Sequence, residues 1–124
     1  MESLSPNIFV KDMNATIAFY KLLGFEVTMN VPEQGDFVWV MMTRGNVSFM
    51  FQTFASLGDT LPDIRRQDGG SLLLYIKLKG IRKFFESVNN KVTILHGLEK
   101  TFYGATEFSV RDNNGYVLTF AEDE

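Results

Sequence analysis

The stretch YGATEFSVRDNNGYVLTFAE, from Tyr103 to Glu122, decides the fold that this sequence predicts. Apolar and polar residues alternate along both of its arms, with the two-residue period of a pleated strand. Asp112 and Gly115 bracket the segment between the arms. Asp at the first position of a turn can accept a hydrogen bond from the backbone ahead of it, and Gly at the fourth tolerates a positive φ. The stretch therefore predicts one β-hairpin.

Composition narrows the class of protein. The chain has 124 residues, which suits one compact domain. Hydrophobic residues make 45% and charged residues 22% of it, without any apolar run near the ~20 residues that span a membrane. The net charge of -3, without a basic cluster interleaved with aromatics, argues against nucleic acid. The absence of cysteine and of a secretory leader pattern predicts a cytoplasmic protein.

Working outward from the hairpin, two helices separate groups of strands. Ile81, Phe84, Phe85 and Val88 follow the i, i+3, i+4, i+7 spacing of an amphipathic helix. An earlier helix is predicted from Asp12 or Asn14 to Gly24. The other strands are predicted at Leu4–Lys11, Phe25–Val31, Phe37–Thr43, Asn46–Thr53, Leu72–Leu78 and Lys91–Leu95, with a turn around His96 and Gly97.

The two halves of the chain resemble each other. The triplet at Val27–Met29 lies 65 residues before a similar triplet at Val92–Ile94, and the hairpin glycines Gly45 and Gly115 are 70 residues apart. Between the halves, from Phe54 to Gly70, the periodicity fails. The sequence thus predicts an α+β fold of two βαβββ modules, about 1–54 and 71–124, joined by a linker at about 55–70.

Two motifs carry a resemblance to a known family. FVKDMNATIAFYKLLGF, at Phe9–Phe25, and the opening hairpin together resemble the vicinal oxygen chelate superfamily, which includes glyoxalase I, extradiol dioxygenases, and fosfomycin and bleomycin resistance proteins. The resemblance covers nearly the whole chain. It implies curled mixed sheets that enclose a cup with the helices outside, and a homodimer.

The resemblance also places the metal ligands of the family's enzymes, which are typically His, Gln or Glu. The corresponding positions here are Ser5, about Phe49, Leu73 and Thr119. None of these side chains competes with water for a divalent ion, so we expect no metal and no cofactor. Gln52 would be a ligand only if its strand slipped by one residue, and His96 is expected in a turn away from the cup.

With the register set by the ligand positions that the resemblance implies, strand alternation predicts which residues line the cup. Ile8, Val10, Ile76, Phe108 and Phe120 are expected under the helices. The candidate ligand-binding residues are Phe9, Phe37, Trp39, Phe49, Phe51, Tyr75, Glu107 and Ser109.

Two interpretations of this apolar cup stay open. The rings could fill a dry core or a dimer seam, or they could bind a ligand. Glu107 favours binding, because an inward carboxylate without a partner is costly, and a planar or cationic ligand would stack on the rings and neutralise it. Arg111 is the competing partner, and a Glu107–Arg111 pair would be purely structural.

The sequence places no nucleophile and base pair, phosphate loop or catalytic carboxylate pair in the cup, so the catalytic residues are unknown. The predicted function is metal-free binding of a small planar or cationic molecule, as in the bleomycin-resistance branch. The alternatives are a glyoxalase-like metal-dependent lyase, isomerase or dioxygenase, and a fold retained only for dimerisation.

Overall fold

A computed structural model describes residues 1–61, 64 and 72–124. The chain forms two compact units, Met1–Arg66 and Gln67–Glu124, and each contains a four-stranded mixed sheet. The predicted α+β class with two βαβββ modules is confirmed. Part of the predicted linker, residues 62–63 and 65–70, lies outside the described residues. No helix in the described part of the chain has the length and apolarity needed to cross a membrane.

In residues 1–61 the first unit has four strands and two α-helices. The strand order is β1-β4-β3-β2, with β1 parallel to β4 and the other pairs antiparallel. Its elements are β1 (Asn7–Val10), α1 (Met13–Leu22), β2 (Glu26–Val31), β3 (Trp39–Arg44), β4 (Val47–Thr53) and α2 (Phe54–Leu57).

The second unit repeats this plan. The strand order β5-β8-β7-β6 again places the first strand in parallel beside the last. Its elements are β5 (Leu73–Lys77), α3 (Ile81–Val88), β6 (Thr93–Lys100), β7 (Ala105–Arg111) and β8 (Val117–Asp123).

The hairpin between β7 and β8 has the predicted turn. The Asp112 carboxylate Oδ1 accepts hydrogen bonds from the backbone N–H groups of Asn114 and Tyr116, each at 2.8 Å. Gly115 has a φ of 93°, which a residue with a side chain rarely adopts. The loop chemistry therefore fixes the register in which Arg111 faces Val117.

Helices α1 and α3 obtain their N-terminal caps in different ways. Asp12 caps α1 locally, because its side-chain Oδ1 accepts a hydrogen bond from the Ala15 N–H at 3.0 Å. Helix α3 begins after Gly80, which has no side chain to serve as a cap. Instead the Glu122 carboxylate on β8 accepts the N–H groups of Gly80 and Ile81, each at 3.1 Å. These bonds lower the pKa of Glu122, because they stabilise its charged form.

Helices α1 and α3 each cover one face of the sheet in their own unit, and a cluster of aromatic rings packs between helix and sheet. In the first unit, Tyr20 of α1 is fully buried and its ring centroid lies 4.7 Å from that of Phe51 and 5.4 Å from that of Phe49. In the second unit, Phe84 of α3 lies 4.9 Å from Phe120 by the same measure. The opposite face of each sheet is called its open face below, because α1 or α3 does not cover it; in the first unit the short helix α2 touches its edge, at Phe9 and Gln52.

Candidate functional site

The open face of the second sheet carries polar side chains between buried apolar neighbours. Along β7, Phe108 and Val110 are buried on the helix side, so the intervening residues point to the open face. Ser109 and Thr119 are cross-strand partners, and their hydroxyl oxygens lie 2.8 Å apart. Tyr75 of β5 pairs with Thr119 from the other side. The register places Tyr75, Glu107 and Ser109 together on this face, and their role as ligand-binding residues stays a prediction.

Glu107 is the centre of a hydrogen-bonded cluster on this face. Its Oε2 atom accepts the hydroxyl of Tyr75 at 2.5 Å and the hydroxyl of Tyr103 at 2.6 Å. Both are short hydrogen bonds to a carboxylate. Among the described residues, no donor reaches the second carboxylate oxygen, Oε1. The cluster therefore presents one carboxylate oxygen that still has capacity to accept hydrogen bonds.

The carboxylate changes the acidity of both tyrosines. The hydrogen bond to Glu107 is the largest cause that raises the pKa of Tyr75 and of Tyr103, followed by desolvation and by repulsion between Glu107 and a phenolate. The two phenols consequently stay protonated and keep donating at physiological pH. They are also accessible, since Tyr75 is 45% and Tyr103 57% exposed.

The alternative partner expected for Glu107, Arg111, is too far along the strand. Four residues of a strand span about 13 Å, and Arg111 is the exposed last residue of β7, opposite Val117. The carboxylate is held by the two phenols instead. Sequence alternation identified Tyr75 but gave no signal for the bond from Tyr103, because that residue lies in the loop before β7.

We expected the single histidine, His96, to lie in a turn, and this prediction is wrong. His96 is an exposed residue within β6, and it pairs with Ser109 of β7. Irregularities in the β6–β7 ladder on both sides of His96 let the strand continue through Gly97 to Lys100. The pairing puts His96 in the same row as Ser109, Thr119 and Tyr75.

In the first unit the open face combines rings, thioethers and amides. Phe9 of β1, Gln52 of β4 and Trp39 of β3 form one row of cross-strand partners. The Asn7 side-chain N–H donates to Gln52 Oε1 at 3.0 Å, and the Gln52 amide nitrogen donates to Ser56 Oγ at 3.2 Å. These pairings place Phe9 and Trp39 on this face, where Phe9 is buried with its ring centroid 6.1 Å from that of Phe54 in α2. Their role as ligand-binding residues stays a prediction.

Phe49 and Phe51 do not lie on the open face, so the strand-face prediction for β4 is wrong. Both rings are buried, at 3% and 0% exposure, against Tyr20 of α1. The repeat offset of 70 residues mapped Phe49 onto Thr119, whereas the observed pairings give Thr119 and Gln52 corresponding places, opposite Tyr75 and Phe9. Gln52 thus reaches the open face without any slip.

Phe37, the remaining candidate, lies outside the strands. It is a half-buried residue between β2 and β3, because β3 begins at Trp39 rather than at the predicted Phe37. No hydrogen bond or ring contact in the described part of the chain ties it to either open face.

The donors on the open faces are scattered rather than gathered into a metal site. The first sheet offers the amides of Asn7 and Gln52. The second offers the Glu107 carboxylate, the His96 imidazole and the hydroxyls of Tyr75 and Thr119. Within residues 1–61, 64 and 72–124, no three His, Cys, Asp or Glu side chains come together as a metal site would need. Zinc, iron or manganese ions prefer such imidazole and carboxylate ligands. These residues do not fit that metal.

The fold is shared with solved structures of known and unknown role. A protein of unknown function from Agrobacterium tumefaciens superposes with a TM-score of 0.81 and 23% identity, over 100% of this chain and 95% of that one. A bleomycin resistance determinant encoded on the transposon Tn5 gives 0.73 and 20%, over 100% and 99%. A bleomycin-binding protein complexed with bleomycin gives 0.70 and 20%, over 100% of both chains.

Two further comparisons bear on the family. A search of curated proteins finds no match to this chain. The family model for the glyoxalase/bleomycin resistance protein/dioxygenase superfamily matches residues 4–120. That range includes every strand of both sheets except the last three residues of β8. The chain therefore belongs to the glyoxalase/bleomycin resistance protein/dioxygenase superfamily.

Proposed function

We propose that this protein binds a small organic cation without a metal, at the open face of its second sheet. The observation that carries the proposal is the Glu107 carboxylate, whose Oε2 is held by two phenols while Oε1 has no donor among the described residues. A carboxylate fixed in this way is preorganised for a positively charged group. The ligand would complete the set of hydrogen bonds that the protein leaves unfinished.

The surroundings of Glu107 favour a cation with a flat or apolar part. The rings of Tyr75 and Tyr103 flank the carboxylate and are partly exposed. Phe102 is 99% exposed and packs edge to face on Tyr103, with 5.1 Å between the ring centroids. Exposed rings beside a carboxylate suit ammonium or guanidinium groups, which gain from both cation–π attraction and charge-assisted hydrogen bonds.

Family membership supports the same class of function. One structure of similar fold is a bleomycin-binding protein that holds bleomycin, which shows that this fold can serve as a binder. The homodimeric state and the cytoplasmic location expected from the sequence belong to the same proposal. Light scattering of the purified protein would test the first, and a monomer at all concentrations would contradict it.

The test is a calorimetric titration with planar organic cations, bleomycin included, comparing the wild type with Glu107→Gln. Glutamine keeps the shape but removes the charge, and a hydrogen bond to a charged group accounts for roughly a tenfold to hundredfold change in affinity. Glu86→Gln is the matched control, because Glu86 is an exposed carboxylate on α3, on the side of the second sheet away from the open face. Equal affinity of the wild type and Glu107→Gln, or failure of every cation to bind, would overturn the proposal.

A further inference from the structure

We propose that Met29, Met41 and Met50 form a thioether site for a soft monovalent cation, Cu(I) or Ag(I), on the open face of the first sheet. This inference does not rest on the function proposed above, since it concerns the other unit and a different chemistry. It starts from where the fold places the methionines of the chain.

The sequence has six methionines, and their positions are not scattered. Met13 and Met42 are buried in the core of the first unit, and Met1 is the first residue. The other three lie in one row across three neighbouring strands: Met29 of β2 pairs with Met41 of β3, and Met41 pairs with Met50 of β4. Every methionine that is neither core nor the first residue therefore belongs to this row.

The register allows the three sulfur atoms to converge. Neighbouring strands lie about 4.8 Å apart, so the backbones of Met29 and Met50 are about 10 Å apart with Met41 between them. Methionine is unbranched and has three rotatable bonds, so the two outer side chains can lean inward over the central one. Three thioethers can thus reach a single ion from the open face.

The row of methionines is accessible, and helix α1 does not cover it. Met29 is 55% exposed, and Met41 and Met50 are half-buried. Helix α1 packs on the opposite face, against Phe49 and Phe51. The three side chains therefore remain accessible, while the sheet holds the backbones of the three methionines at a fixed spacing.

The chemistry of the row selects the class of ion. Thioether sulfur is a soft, uncharged ligand that favours Cu(I) over the harder divalent ions bound by carboxylates and imidazoles. Three thioethers carry no negative charge, so a monovalent ion is sufficient and no divalent charge is needed to balance the ligands. Trp39 lies two residues from Met41 on the same strand face, so its ring is close enough to report on a bound cation.

The experiment is a titration of the purified protein with Ag(I) in chloride-free buffer, followed by Trp39 fluorescence and by calorimetry. We expect one equivalent to bind and to change the emission of the chain's single tryptophan. Met41→Leu conserves volume and removes the central thioether. Since even an outer-shell partner is worth about 10–100-fold in metal affinity, its loss should weaken binding at least about tenfold.

Three controls keep the proposal open to refutation. Met13→Leu removes a core thioether and should bind Ag(I) as the wild type does. The triple variant Met29→Leu, Met41→Leu, Met50→Leu keeps the other three methionines and should lose the site, with its fold checked by circular dichroism. Glu107→Gln should leave Ag(I) binding unchanged, which separates this site from the proposed organic-cation site. Equal Ag(I) affinity in the wild type and the triple variant would overturn the inference.

Discussion

The two sheets share a strand order and carry different side chains on their open faces. In both, the first strand lies in parallel beside the last, and a helix covers one face with a cluster of rings. The open face of the first sheet carries thioethers, rings and amides, whereas the open face of the second carries phenols, hydroxyls and Glu107. Duplicated topology has thus kept its covered faces alike while its open faces have taken different chemistry.

The helices add a second contrast between the units. Helix α1 carries its own cap in Asp12, within the same local stretch of chain. Helix α3 depends on Glu122, 41 residues from Ile81 in the sequence. The same architectural unit can therefore be completed by a local contact or by a distant one.

The first and largest expected effect tests the difference between the faces of β4. Phe51→Ala should destabilise the protein by about 3–5 kcal/mol, because it opens a cavity in a fully buried ring cluster. Met50→Ala, at the next position but on the open face, should cost about 1 kcal/mol. Urea unfolding midpoints measure both. Equal losses for the two variants would mean that β4 does not present these faces.

The second prediction concerns the local cap of α1. Asp12→Ala should lower the free energy of unfolding by about 1 kcal/mol, since it removes the acceptor for the Ala15 N–H. Asp12→Asn keeps a side-chain acceptor and should lose little. Thermal unfolding of both variants is the measurement, and an asparagine variant as unstable as the alanine variant would contradict a cap based on hydrogen bonding.

The third prediction concerns the distant cap of α3. The pKa of Glu122 is lowered in the folded protein, so its contribution is present above its ordinary value of 4.5 and is lost as the pH falls through the lower folded value. Glu122→Gln should therefore lower the melting temperature near neutral pH and lose this effect in acid. Melting curves across pH measure this.

Asp123→Asn is the control for that experiment. Asp123 neighbours Glu122 but makes only an exposed ion pair with Lys77, at 3.0 Å. Exposed pairs of this kind contribute little to stability. A melting temperature that changes with pH in the same way in both variants would show that the cap of α3 is not the cause.

The fourth prediction concerns the hydrogen-bonded cluster around Glu107. Substitution of Glu107 should have the smallest effect on stability, but it should change the ultraviolet absorbance of the tyrosines. Glu107→Gln should lower the pKa of Tyr75 and Tyr103 toward the ordinary value for tyrosine, because the carboxylate both accepts hydrogen bonds from their hydroxyls and repels their phenolates. Ultraviolet titration of tyrosinate should show an earlier rise in the variant. A superimposable curve would contradict the two hydrogen bonds, and Tyr75→Phe identifies the contribution of that residue.

Local patterns in the sequence predicted most of the architecture. The spacing of Ile81, Phe84 and Val88 located α3, and the Asp112 and Gly115 pair located the hairpin loop, because each signal is contained within a few residues. In the second unit, alternation also placed Glu107 and Ser109 on the open face. These features need no knowledge of distant contacts.

The predictions from sequence were wrong or incomplete where contacts between distant residues decide the structure. Alternation separates Phe49 and Phe51 from Met50 and Gln52, but only packing against Tyr20 decides which set the helix covers. The cap of α3 by Glu122 and the bond from Tyr103 to Glu107 likewise join residues whose spacing follows no local rule. His96 lies in a strand because β6 continues through two irregularities in its pairing with β7, where we predicted a turn.

The Glu122 cap has a consequence for the order in which the second unit can assemble during synthesis. Among the strands of the second unit, β5 emerges first from the ribosome, yet its ladder partner is β8, the last of the four. The first turn of α3 also waits for β8, because Glu122 accepts its leading N–H groups. A nascent chain that stops before Glu122 would thus hold a helix with an unfinished start and a strand without its neighbour, so the second unit should close late and in one step.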